Sequence, residues 1–466
     1  MLKATDSEGA STSPPTEAIE AAIDEIFNAG DKREKFVPVT RGALMERLTR
    51  DAAWPAGMAA DARRFFRYLD NWRAQTYTAQ ELELERIYEP FSPDSDLLIT
   101  RRYSEAERAA MQQQVVDKVE RLLIGANYTQ IDSRNVELIL TKDSHYGLDL
   151  HVDLQAFEEL LIFYRGARKS KATRRNLKQL YLRKEEFDVP IFQRLFILFK
   201  VKPEAVRVRE VMAEQNIDEA EARKIIQGLR RHLPSAIVSD NIYMKLFKNI
   251  PRADMEMCFP NTRIKFRLLD KLKLGVTAGS GLGMGAVASI GKIALVASNP
   301  VAAAGALVGL GGVAFRQAMN FVNQRNRYMV TMAQNLYFHA LADNRGAVCL
   351  LGDRAAEEDV KEEMLLYCVL AKATVNRREL REVDEAIEQY MLNTFGISVN
   401  FDVDEALERL KRTGIVQETA DGALHTLQPS AAARQIDVLW DRYLDDLPDP
   451  TEGEGIEFEL ENGAGA

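Results

Sequence analysis

The stretch VPIFQRLFILFKVK, residues 189–202, decides the fold class of this chain. It is β-rich, and similar short runs precede it: NVELILTK (135–142), GLDLHVDL (147–154), EELLIFYRG (158–166) and LKQLYLRK (177–184). Turn signals such as Asp143-Ser144 separate the early runs. We therefore predict a mixed β-sheet within an α+β domain over residues 126–270.

Helical patterns surround this sheet. Residues 16–125 show helical periodicity, for example Phe65, Phe66, Leu69 and Trp72, and they predict a helical N-terminal module after a disordered leader, 1–15. Pro90 and Pro93 interrupt this module before a helix that Ser104 caps. Helices are predicted at 203–215 and at 218–231, the second capped by Asp218. The runs 242–248 and 263–269 are expected to return to the sheet.

A glycine- and alanine-rich stretch, 274–315, contains a single charge, Lys292. Its GSGLGMG segment, 279–285, is similar to a phosphate-binding loop. Such a loop requires a preceding strand, and the residues before it are helix-like, with no G-K-S/T after it. Small residues four apart instead favour close helix packing. The predicted helix-packing residues are Gly275, Gly279, Gly283, Gly305 and Gly309.

The same stretch predicts a helical hairpin, within a segment 271–341, that turns at Ser298-Asn299-Pro300. Its first arm is long enough for a bilayer, and its second arm is long enough only if it continues to Phe315 or slightly past it. Basic residues flank both ends, which indicates cytoplasmic flanks and termini. A buried hairpin inside a soluble oligomer would have a similar sequence. In either environment, the glycine-rich helices are expected to support homo-oligomerisation.

The C-terminal pattern, within 342–444, is typical of a winged-helix-like module that follows further helices. It has helices at 377–395 and 402–413, the strand ISVNF, and a hairpin turn at Asp421-Gly422. The second helix holds four acids against three bases, which favours protein interaction over DNA binding. Residues 445–466 are expected to form an acidic, disordered tail.

One strand face carries a possible metal site. Alternation places Asp149, His151 and Asp153 on the same face, and these residue types can ligate a metal. Any solvent-exposed strand face can have the same composition, and the sequence shows no second cluster of metal-ligating residues. We therefore assign no metal, cofactor or catalytic residue, and keep a metal-dependent enzyme using this face as the alternative function.

The strongest local charge feature is RGARKSKATRRNLKQLYLRK, residues 165–184, with nine Lys and Arg and no acid. It can be a solvated loop that pairs with acids of the protein, a contact for anionic lipid headgroups, or a nucleic-acid patch. The net charge of −9 argues against a general polyanion binder, so we expect no nucleic-acid partner. The predicted lipid-contact residues are Arg168, Lys169, Lys171, Arg174 and Arg175.

Four stretches resemble the transmembrane protein 143 family: LFKNIPRADMEMCFP (246–260), DKLKLG (270–275), LYFHALADNRGAVCLLGDRAAEEDVKEEMLLYCVL (336–370) and NFDVDEALERLKRTGIV (400–416). The resemblance covers roughly residues 130–430. It implies a membrane protein of unknown biochemical activity, mitochondrial in animals, and supplies no catalytic residue.

The location and role follow from these patterns. The N-terminus shows no Arg-rich, acid-poor leader, so we expect a bacterial inner membrane, or a mitochondrial membrane if the source is eukaryotic. The expected role is that of an interaction or scaffold protein anchored by the hairpin, with an unknown protein partner.

Overall fold

The computed structural model describes residues 26–27, 33–96, 103–132, 136, 149–175, 184–231, 233–260, 263–265, 330 and 337–445. Its α-helices are α1 (Arg41–Leu48), α2 (Met58–Tyr88), α3 (Glu105–Gly125), α4 (Glu204–Gln215), α5 (Glu219–Arg230), α6 (Asn344–Leu370), α7 (Leu380–Phe395), α8 (Val403–Arg412) and α9 (Pro429–Arg442). Its strands are β1 (Thr129–Gln130), β2 (Asp149–His151), β3 (Phe157–Arg175), β4 (Lys184–Val201), β5 (Tyr243–Pro251), β6 (Arg263–Lys265), β7 (Ala340–Asp343), β8 (Val375–Asn376), β9 (Val416–Glu418) and β10 (Ala423–Thr426). The chain is therefore an α+β protein, as its sequence predicts.

Local signals set several of the helix ends. The Ser104 hydroxyl accepts from the backbone of Glu107, and the Glu107 side chain returns a bond to Ser104, which completes a capping box. Asp218 caps α5 by accepting from the Glu221 N–H at 2.8 Å. Helix α2 ends at Tyr88, directly before the short 3-10 turn that contains Pro90. These three sequence predictions are confirmed.

The main sheet has five strands in the order β1-β3-β4-β5-β7, and each of these pairings is antiparallel. The prediction of a mixed sheet was therefore wrong. Strands β3 and β4 run antiparallel because they form a single long hairpin. Although α4 and α5 lie between β4 and β5 in the sequence, those two strands are also antiparallel.

Two strand predictions change. Strand β3 continues to Arg175, so the first half of the basic stretch is strand, not loop. Strand β6 does not join the main sheet but pairs with β2 in a two-stranded sheet. The predicted strand 135–142, and 177–183 of another, lie outside the described residues apart from Val136.

Strands β3 and β4 extend beyond their neighbour. Strand β5 pairs with β4 only as far as Ile191, whereas β3 and β4 pair on to Arg175 and Lys184. We call residues 168–175 and 184–190 the basic arm. The seven pairs past Ile191 span about 23 Å at the usual rise per strand residue.

The C-terminal region contains a three-stranded antiparallel sheet in the order β8-β10-β9, with α7, α8 and α9 around it. The predicted turn is present between β9 and β10, where Gly422 has a φ of 82° that favours glycine. Helix α9 packs along α2, so this region contacts the N-terminal helices.

Helix α6 joins two hydrophobic cores. Its first turns bury Ala347, Val348 and Leu351 against α3 and one face of the main sheet. Its last turns bury Met364 and Tyr367 with α2 and the C-terminal helices. A third core covers the opposite face of the main sheet. The middle of α6 therefore lies where the N-terminal helices, the sheet and the C-terminal region meet.

Three described helices have the length needed to cross a bilayer: α2 with 31 residues, α3 with 21 and α6 with 27. A spanning segment needs about 20 predominantly apolar residues, and charged side chains interrupt each of them. Within the described ranges, no helix is both long and apolar enough to span a membrane. This finding contradicts the predicted transmembrane helix and the predicted location, a bacterial inner or mitochondrial membrane with cytoplasmic termini.

Several predicted features lie outside the described residues. They are the leader 1–15, the glycine-rich stretch 274–315 with its helix-packing glycines, and residues 446–466 of the acidic tail. The hairpin as a helix-packing element, without the membrane-spanning role corrected above, and the homo-oligomer that it would support therefore stay predictions from sequence.

Candidate functional site

A run of charged residues, EEDVKEE at 357–363, lies in the buried middle of α6. Glu358 and Glu363 are fully buried, and Lys361 is 2% exposed. Burying such groups is unfavourable unless each is paired. The paired set, which we call the charged hub, consists of Arg73, Arg165, Glu358, Asp359, Lys361, Glu362, Glu363 and Arg409.

One half of the hub ties α2 and α8 to α6. Arg73 of α2 donates to both oxygens of Glu363, at 2.5 and 3.0 Å. Arg409 of α8 lies 3.2 Å from Asp359 and donates to Glu362. A bidentate guanidinium–carboxylate pair fixes orientation as well as distance. The hub therefore holds these three helices in one arrangement.

The other half ties the sheet and the N-terminal segment to α6. Glu358 accepts from Lys361 at 2.8 Å, from Arg165 of β3 at 3.2 Å and from the Val37 N–H at 3.0 Å. Lys361 donates to the Val37 carbonyl at 2.6 Å. Arg165 also lies over the Phe36 ring, 4.3 Å from its centroid. Arg165, which lies on β3 at the base of the basic arm, is thus part of the hub.

Burial shifts the protonation of two hub carboxyls. It raises the pKa of Glu362 to about 8, although Arg409 and the Asn127 amide oppose the shift. It raises the pKa of Asp359 to about 6, again opposed by Arg409. Shifted carboxyls occur in active sites and in structural ion networks alike. Here each group bonds to protein partners, and the arrangement serves to fix helices.

A cleft of about 390 Å³ lies beside the hub, a size typical of ligand sites. Lys35 and Glu34 of the N-terminal segment line it, with Tyr164 and Gly166 of β3 and Asn400. Burial raises the pKa of Glu34, which Arg165 opposes. The cleft mixes charged, amide and aromatic groups, and this mixture identifies no single ligand.

The basic arm carries the predicted lipid-contact residues. Arg168, Lys169 and Lys171 are exposed, and Arg174 and Arg175 lie further along β3. Residues 165–190 contain nine Lys and Arg against three Asp and Glu, a formal charge of +6 in a chain of net charge −9. The register places Lys171 opposite Asp188 and Arg174 opposite Glu185. The acids of β4 therefore offset part of the charge, but the arm stays basic.

The side chains of Asp149 and His151, two members of the possible metal face, lie outside the described part of the structure, so this site stays a prediction from sequence. Strand pairing places Lys265 opposite Asp149 and Arg263 opposite His151. Asp153 lies 3.8 Å from the Arg207 guanidinium. In the described part of the chain, no three His, Cys, Asp or Glu side chains form a group that could hold a metal.

Helix α8, the second helix of the predicted winged-helix-like pattern, turns a basic side chain inward. Arg409 is 3% exposed, and Lys411 bonds to Glu408 and Glu418, both at 2.9 Å. This arrangement leaves few bases for a DNA backbone.

Sequence reasoning missed the hub because a charged run on a helix is typical of a solvated face; the apolar residues 364–370 that follow it were the available signal.

A family model matches this chain from the first residue of β3 to the start of α6, and the match covers four of the five strands of the main sheet and the glycine-rich stretch. It does not single out the transmembrane protein 143 family. No solved structure matches the chain. Residues 157–346 thus contain a DUF3754 domain, described as a protein of unknown function.

Proposed function

We propose that this chain is a non-enzymatic interaction protein that docks on anionic phospholipid headgroups through the basic arm. The observation that carries the proposal is the extension of β3 and β4 beyond β5, with exposed Lys169 and Lys171 on the extended part and exposed Arg168 where the extension begins. Contact by an arm requires no membrane-spanning helix.

Charge distribution supports this role. Each basic side chain near an anionic bilayer contributes about 1 kcal/mol of attraction, which falls off within a Debye length. The rest of the chain is acidic and would be repelled by such a surface. Docking is therefore confined to the arm. The net positive charge of the arm attracts it to the anionic surface, and Asp188 and the other acids of β4 reduce that charge.

The sequence between the two strands favours lipid over nucleic acid. Residues 176–183 include Leu177, Leu180, Tyr181 and Leu182 beside Lys178 and Arg183. Apolar and aromatic residues flanked by bases suit the headgroup region of a bilayer. A two-stranded ribbon also fits the major groove of DNA, so DNA binding is one of the outcomes that the test separates.

The hub gives the interaction role its scaffold component. Arg165 at the base of the arm pairs with Glu358 of α6, and α6 pairs in turn with Arg409 of α8. A partner on the winged-helix-like C-terminal region would therefore be held at a fixed position relative to the docked arm. Three parts of this proposal stay predictions from sequence: the protein partner, self-association through the glycine-rich helices, and the likeness to the transmembrane protein 143 family.

The test is co-sedimentation with phosphatidylcholine vesicles that contain or lack phosphatidylserine. The arm variant carries Arg168→Glu, Lys169→Glu and Lys171→Glu. The matched control reverses three exposed bases elsewhere, Lys224→Glu, Arg378→Glu and Arg381→Glu. We expect the arm variant to lose at least a hundredfold in affinity, from three lost contributions of about 1 kcal/mol each, while the control binds like the wild type.

Two results would contradict the proposal. In one, arm and control variants sediment alike with the phosphatidylserine vesicles. In the other, the wild type binds double-stranded DNA with a steep salt dependence and does not bind either vesicle.

A further inference from the structure

A small cavity lies where α4 and α5 pack against the end of β4. Its volume is about 30 Å³, and a single water needs about 10–15 Å³. Among the residues that line it, the charged ones are Asp153, Lys202, Arg207 and Arg230. The charged lining thus contains three bases and one acid.

Arg207 contributes a donor for which the described part of the chain offers no acceptor. Its side chain is only 10% exposed. Its two terminal nitrogens donate to Glu210 at 2.9 Å and to Gln155 at 2.8 Å, but its buried Nε–H has no hydrogen-bond partner among the described residues. The Asp153 oxygen is 3.8 Å from the guanidinium, beyond hydrogen-bond length. A buried donor in this position is unfavourable without an acceptor.

The other two bases are each partly neutralised by a carboxylate, as is Arg207, which also lies 3.8 Å from Glu214. Lys202 bonds to Glu210 at 2.7 Å, and this contact, with that of Arg207, lowers the pKa of Glu210. Arg230 donates to the Lys202 carbonyl at 2.7 Å, and its closest carboxylate contact, with Glu204, is 4.0 Å long. Arg230 is therefore only weakly neutralised.

We propose that this cavity binds one small monovalent anion of chloride size. The anion accepts the Nε–H of Arg207 and is attracted by Lys202 and Arg230. Because α4 and α5 form an insertion between β4 and β5, a bound anion fastens this helical pair to the sheet. The site is separate from the basic arm and does not depend on the proposed docking role.

The thermal unfolding midpoint of the full chain tests the site. The protein is compared in sodium chloride and in sodium gluconate at equal ionic strength. A ligand that binds only the folded state raises the midpoint until the site saturates, and a chloride concentration ten times the Kd should raise it by roughly 2 °C. Arg207→Gln should lose this difference, and Arg209→Gln, an exposed arginine of the same helix, should keep it.

Chloride NMR on the wild type provides a direct second measurement. We expect the chloride line to broaden with protein and to sharpen when bromide displaces the ion. If Arg207→Gln does not fold, Arg230→Gln replaces it. Equal midpoints in the two salts, or a chloride effect that persists in the variant, would overturn the proposal and assign a water molecule to the Arg207 donor.

Discussion

Replacing Glu363 by glutamine would remove one negative charge from the centre of the charged hub while nearly preserving the size of the side chain. Glu363 is fully buried, accepts two hydrogen bonds from Arg73 and has one oxygen 3.5 Å from Nε of Arg409. The substitution would leave two guanidinium groups in the core with less compensating charge.

The expected cost is large relative to the stability of a folded domain. Removing one partner of a buried ion pair costs about 3–5 kcal/mol. Because the glutamine oxygen can still accept one bond from Arg73, we expect the lower value, about 3 kcal/mol. With a urea m-value of about 3 kcal/mol/M, the unfolding midpoint should fall by about 1 M.

Urea unfolding followed by circular dichroism at neutral pH measures this change. Glu382→Gln, at an exposed position of α7, is the control and should shift stability by less than about 0.5 kcal/mol. The double variant Glu363→Gln, Arg73→Met should be at least about 1 kcal/mol more stable than the sum of the two single changes predicts, because the two paired charges are removed together. The reasoning is refuted if Glu363→Gln behaves like the control, or if the two single changes are additive.

The remaining predictions concern pH, a glycine and a helix cap. The folded pKa of Glu362, about 8, lies above its ordinary value of 4.5, so between these two pH values the folded state binds more protons than the unfolded state. The free energy of unfolding should therefore fall as pH rises from about 5 to 8. Glu362→Gln should flatten this decline in urea titrations, and an unchanged slope would contradict the burial argument. Gly166→Ala should destabilise the protein by about 1–2 kcal/mol, because φ is 71° and the new Cβ would lie 2.8 Å from the Gln193 side chain. Gly228→Ala in α5, with open space around it, is the control and should be neutral or stabilising. Ser104→Ala should cost about 1 kcal/mol by removing the capping box of α3, and equal stability of variant and wild type would argue against that cap.

The features that sequence predicts correctly are those whose causes lie within a few residues. Ser104 caps a helix through Glu107, three positions away, and Asp218 does the same through Glu221. The tight turn at Gly422 depends on one φ angle. A single chain shows such patterns directly, because no distant partner is needed.

The features that sequence could not provide depend on distant partners. Arg73 and Glu363 are separated by 290 positions, and neither alone indicates a buried pair. Residues 167–175, in the first half of the basic stretch, gave no strand pattern because bases occupy successive positions and hence both faces of β3. Strand direction in the main sheet likewise follows from packing between segments, which periodicity within a segment does not report.

The most direct test of arm docking is a fluorescent label on the arm itself. Ser170→Cys places an environment-sensitive dye on β3, and Ser235→Cys places it on a distant exposed position; Cys349 is first replaced by serine because it is half-buried and could react. With vesicles that contain phosphatidylserine, we expect a blue shift and quenching by brominated lipid for the arm label only. Equal spectra for the two labels, or no response of the Ser170 label to anionic vesicles, would contradict the account.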